Sequence, residues 1–111
     1  MSLDDTIPDT RIDLFGGTGT VKVWNLMTGP AAPFTAALWC ELEAGGSVGR
    51  HRQEQFAEIV IGVEGRGEAT VGDVAHPLNV GDMVHLPLGS VLSLRNLSGE
   101  TPLRYLIIKA T

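Results

Sequence analysis

A chain of 111 residues has room for one domain with one hydrophobic core, which by size scaling buries roughly two-thirds of the surface exposed by the unfolded chain. Thirteen acidic against eight basic residues give a net charge of -5 with no basic cluster, and this argues against a nucleic-acid partner. The single cysteine, Cys40, excludes an intrachain disulfide, and no apolar run approaches the roughly 20 residues of a membrane helix, so a cytoplasmic protein with no membrane partner is expected.

In chain order, residues 1–15 are polar and contain Pro8, and they read as a loose arm or a segment that orders against a partner subunit. Residues 16–111 then form the single domain. Gly16-Gly17-Thr18-Gly19 looks like a phosphate loop, but an alternating segment follows it rather than a helix, so the anion site is not expected. Glycine and proline are spread so evenly that the longest stretch free of both, Arg50–Ile61, has 12 residues, which leaves no room for long helices. The stretches between these breakers are rich in β-branched and aromatic residues. Strands are predicted over Val21–Met27, Thr35–Glu43, Phe56–Glu64, Gly67–Val71, Met83–Leu86, Val91–Asn96 and Leu103–Lys109. Glu64-Gly65-Arg66-Gly67 suits a hairpin, and Pro87-Leu88-Gly89 marks another tight corner. The predicted fold class is all-β, a sandwich or a closed barrel.

Several tempting motifs carry no chemistry. Gly45-Gly46-Ser47-Val48-Gly49 fits the Gly-x-Ser-x-Gly elbow of serine hydrolases, yet the helix that must follow is missing and the chain is too short for that fold. Asn96-Leu97-Ser98 is a formal glycosylation sequon, relevant only to a secreted chain. Cys40 lies in a strand-like run and reads as a packed small hydrophobe, His76 as a solvent-exposed turn residue, and Trp24 and Trp39 as core or subunit-interface aromatics.

Two spacings stand out. The first is Gly45, five residues, His51-x-Gln53, four residues, Glu58, six residues, Gly65; the second is Gly81, five residues, Pro87-x-Gly89, two residues, Leu92, three residues, Asn96. Together they resemble the two motifs of the cupin family, with eight of ten compared positions in agreement over about half the chain. The resemblance implies a small antiparallel β-barrel or jelly roll, a single cupin domain, and a homodimer. It also implies a divalent metal held by two His and a Glu of the first motif and a His of the second. This chain keeps His51 and Glu58 but has Gln53 and Leu92 at the other two positions. An amide is a weak donor for transition metals.

Two readings of the site follow. In one, His85 turns inward and joins His51 and Glu58, with Gln53 as a weak fourth donor, to hold Zn, Ni, Mn or Fe. The chain is then a metal-dependent cupin enzyme, of dioxygenase or isomerase type, for an oxygen-rich small molecule. In the other, the metal is lost, Leu92 and Met83 line an apolar mouth, and the barrel binds or senses a small molecule without any cofactor. A purely dimerising module is a third possibility. The sequence assigns no catalytic residue, and which face of the His85 strand points inward is open.

Overall fold

The computed structural model describes residues 6–111. Its strands are β1 (Asp9–Ile12), β2 (Thr20–Asn25), β3 (Phe34–Leu42), β4 (Ser47–Arg52), β5 (Ala57–Glu64), β6 (Arg66–Val71), β7 (Val74–Asn79), β8 (Met83–Leu86), β9 (Val91–Asn96) and β10 (Leu103–Ala110). One six-stranded sheet has the order β1-β2-β3-β10-β5-β8 and the other, four-stranded, has the order β4-β9-β6-β7. Every named pairing is antiparallel. The expected all-β jelly roll is present, and it closes by packing two hydrogen-bonded sheets face to face rather than by one continuous ladder. No helix of the described residues is long and apolar enough to cross a membrane.

The core lies between the sheets. Val21, Cys40, Leu42, Val60 and Tyr105 contribute from the larger sheet, and Val48, Ala69, Leu78, Leu92 and Leu94 from the smaller. Strict alternation along β5 sends Glu58, Val60 and Gly62 inward and leaves Ile59, Ile61 and Val63 on the outer face. On that outer face the strand registers align Trp24, Trp39, Leu106, Ile61 and Met83 in one row across five strands. The two tryptophans therefore belong to the outer surface of the larger sheet, half-buried by their neighbours, and not to the core between the sheets.

Three strands lie where the sequence suggested none. Asp9–Ile12, read as part of a loose arm, pairs along its length with β2 as an edge strand; the first five residues of that arm fall outside the described residues. Val74–Asn79, which holds His76 of the region 72–77 read as a polar turn, is the return strand of the β6–β7 hairpin, whose two-residue loop is Gly72-Asp73 with Gly72 at φ 60°. His76 is accordingly half-buried opposite Ala69 rather than solvent-exposed. The corner at Gly65 (φ 93°) is not a hairpin: β5 and β6 belong to different sheets, so this corner carries the chain across the core. A side chain there would meet the Pro102 carbonyl at 2.7 Å.

The third unexpected strand, β4, is interrupted by glycine because another stretch of backbone lies against it. A Cβ at Gly49 would stand 1.9 Å from the Phe15 carbonyl oxygen. Next to this glycine the β4–β9 register slips. Val48 pairs with Leu94 and His51 with Leu92, so three steps on β4 match two on β9. This bulge reverses the alternation, and Val48 and His51, which regular pleating would send to opposite faces, both line the interior.

Candidate functional site

A cavity of about 420 Å³ opens between the sheets at the end where β4 and β5 meet. It is of the size and largely apolar lining typical of small-ligand sites. His51, Gln53 and Glu58 all line it, as does Leu92, so the first-motif side chains converge as the spacing implied. His85 does not. It is exposed on the outer face of β8 beside the equally outward Met83, while Val84 and Leu86 point into the core. The expected set of His51, His85 and Glu58 is therefore not assembled, and Met83 does not line the mouth. Regular two-residue alternation on β8, anchored by fully buried Leu86, is the physical reason.

His51 is fixed in both orientation and tautomer. Its Nδ1 lies 3.1 Å from the Gly49 carbonyl oxygen, which can only accept, so Nδ1 carries the proton and Nε2 presents a lone pair. The ring stacks on Phe15, with centroids 4.1 Å apart and planes 14° from parallel. Phe15 holds this place with φ 53°, a left-handed conformation uncommon for a bulky side chain, and Asp13 two residues earlier, of a type that adopts that region more readily, has φ 51°. The turn is secured by Gly19 N donating to Asp13 Oδ1 at 2.9 Å and Asp13 N donating to the Gly19 carbonyl at 2.9 Å. Burial pushes the imidazole below its ordinary pKa; the Gly49 hydrogen bond opposes this, and the Lys109 ammonium adds to the lowering.

Gln53 is buried and pinned by its backbone, its N–H donating to the Ser90 carbonyl and its carbonyl accepting from Gly89 N–H. The corner Pro87-Leu88-Gly89 thus positions the end of β4. Glu58 is 4% exposed, and its Oε2 is fully buried with no hydrogen-bond partner among the described residues. Burial raises the Glu58 pKa and the Lys109 ammonium opposes the rise. Lys109 sits directly opposite Glu58 in the β10–β5 register, also lines the cavity, and brings Nζ to 4.0 Å from Oε2. Behind this pair, burial and then the Glu58 charge push the Cys40 thiol up to about 12, and the Tyr105 side chain is its hydrogen-bonding neighbour. Burial thus favours the protonated thiol of Cys40 over the nucleophilic thiolate.

These donors do not fit a divalent metal. The position facing His51 on β9 is fully buried Leu92, Gln53 offers only an amide, and a cationic ammonium stands beside the one carboxylate. Among the described residues no three His, Cys, Asp or Glu side chains are grouped so as to hold a metal ion. Lys109 and Phe15 were not among the expected site residues. For Lys109 a signal existed, because it shares a strand face with Tyr105 and Ile107; for Phe15 none did.

Two facing antiparallel sheets around a cavity of this size define a jelly-roll barrel. Residues 38–109 match the family model described as a cupin domain, and the chain belongs to that family. Among solved structures it is similar to a predicted oxalate decarboxylase from Thermotoga maritima, at TM-score 0.89 and 24% identity over 98% of this chain and 96% of that one. It is also similar to a cupin 2 conserved barrel domain protein from Salinispora arenicola (TM-score 0.66, 32% identity, 79% of this chain and 74% of that one). A third is the cupin domain of Cnp3 from Schizosaccharomyces pombe (TM-score 0.77, 19% identity, 99% and 72%). No curated protein matches the chain in sequence.

Proposed function

We propose that this cupin domain binds a small organic molecule in the cavity between its sheets and does so without a metal ion. The observation that carries this reading is Glu58, a buried carboxylate that has Lys109 as its neighbouring cation and whose Oε2 has no hydrogen-bond partner among the described residues. A buried acceptor left unmet costs roughly 1–3 kcal/mol, and a ligand that meets it recovers that energy as affinity. Apolar Leu92 and Leu94 on the opposite wall supply area for the ligand's hydrocarbon part. The test is elemental analysis of untagged protein together with thermal melts in EDTA and in added Mn, Fe, Ni, Co or Zn. The expected outcome is far less than one metal per chain and an unmoved melting temperature. Near-stoichiometric metal whose removal lowers the melting temperature overturns the proposal in favour of a metal-dependent enzyme. The homodimer implied by the family is part of the same proposal, and light scattering checks it by a solution mass of twice the chain.

A further inference from the structure

We infer that the Lys109–Glu58 pair forms a subsite for a hydroxyl group, so that the ligand is a small alcohol or enol with an apolar body. The inference rests on the reading of the cavity as a small-molecule site. Nζ and Oε2 are 4.0 Å apart, too far for a direct hydrogen bond, while Oε2 is buried and unpartnered and the Glu58 side chain is only 2% exposed. An oxygen placed about 2.8 Å from each atom spans that gap with an angle of about 90° at the oxygen, which suits one atom that accepts from one side and donates to the other.

The identity of that atom follows from its two neighbours. The ammonium only donates and the carboxylate only accepts. A hydroxyl oxygen serves both. An ether or ketone oxygen accepts from Lys109 but leaves Oε2 unmet; a ligand carboxylate sets a second negative charge against Glu58; a ligand ammonium faces Lys109. The Lys109 charge also acts on Cys40 and His51, and the Glu58 carboxylate faces it across 4.0 Å. Beyond the pair, Leu38, Ile107, Leu92 and Leu94 line the cavity and offer area to a hydrocarbon body, with His51 and Gln53 as the further polar groups of the motif.

The experiment is a methyl-NMR titration of the full chain with five probes of matched size: cyclohexanol, methoxycyclohexane, cyclohexanone, cyclohexanecarboxylate and cyclohexylammonium. Leu92, Leu94 and Ile107 methyls report occupancy. Cyclohexanol is expected to bind tightest, and Lys109→Met and Glu58→Gln are each expected to weaken it about tenfold; Glu58→Gln leaves methoxycyclohexane unchanged whereas Lys109→Met weakens it too, and the dispersed methyl spectrum of each variant shows that it is folded. If the ether or ketone binds as well as the alcohol, or the carboxylate or ammonium binds best, the hydroxyl subsite is overturned although the cavity still binds. If none of the five moves these methyls, the small-molecule reading of the cavity is overturned with it.

Discussion

The two walls of the cavity differ in one respect: the buried carboxylate and its ammonium both stand on the same wall. The wall from the six-stranded sheet carries Glu58 and Lys109 among Val21, Leu38, Cys40, Tyr105 and Ile107, so both signs of this charged pair come from adjacent strands of one sheet. The wall from the four-stranded sheet carries Leu92, Leu94 and Val48, with the polar groups His51 on the edge strand β4 and Gln53 just beyond its end. In the family pattern a metal is held jointly by residues of the first and second motifs. Here the second-motif donor is Leu92, and the counter-charge for Glu58 comes from its strand neighbour Lys109. The positive charge that the carboxylate needs is thus covalently part of the chain.

The largest expected effect comes from cutting the tie between the walls. Asn96 on β9 is buried, and its Nδ2 lies within hydrogen-bond distance of the Leu42, Glu43 and Thr101 carbonyls at 3.2, 3.1 and 2.9 Å. Asn96→Ala is expected to cost about 3 kcal/mol in urea denaturation, with both walls loosened together.

A smaller effect of opposite sign is expected at Glu58. Its folded-state pKa is raised above the ordinary 4.5, so the folded protein holds the proton more tightly than the unfolded chain does. Its contribution is fully favourable below pH 4.5 and is lost as pH rises through the folded value. Glu58→Gln therefore stabilises the chain at pH 7 by about 1 kcal/mol, with the gain vanishing below pH 4.5 in melts across pH. A destabilised Glu58→Gln at pH 7 would show that the carboxylate is better satisfied than its surroundings indicate.

At His51 the sign reverses. Its pKa is lowered from 6.5, so its contribution is present above pH 6.5 and lost as pH falls through the folded value. His51→Gln is expected to flatten the loss of stability on the acid side of pH 6.5 and to change little at pH 8. The smallest effect is at His85, exposed on the outer face: His85→Ala is expected to stay within about 0.5 kcal/mol of the parent in stability and to leave probe binding unchanged.

How much of this was legible in the sequence depended on which physical signal was present. The even spacing of Gly and Pro ruled out helices, and the two motif spacings located the cavity and brought His51, Gln53 and Glu58 to it. Periodicity alone would have misled at β5, where the outward set Ile59, Ile61 and Val63 is more apolar than the inward set Glu58, Val60 and Gly62. The same ambiguity hid the face of His85, because both Met83 outside and Val84 inside are apolar. The β4 bulge that turns His51 inward arises from backbone pairing with β9 and leaves no mark in residue alternation. Phe15 reaches His51 through a left-handed turn that its residue type argues against. Lys109 ends a readable strand, but its pairing with Glu58 depends on a register that only the folded sheet fixes.

The central claim, that Lys109 takes the role of the cation beside Glu58, is tested most directly by restoring the missing imidazole. Calorimetric titration of zinc into Leu92→His and into Leu92→His combined with Lys109→Met isolates the contribution of the lysine. The account predicts at least about tenfold tighter zinc binding when Lys109 is removed, because the ammonium repels a divalent ion at the same carboxylate. Equal and tight binding by both variants would contradict it, showing that the barrel needed only the lost histidine to be a metal site.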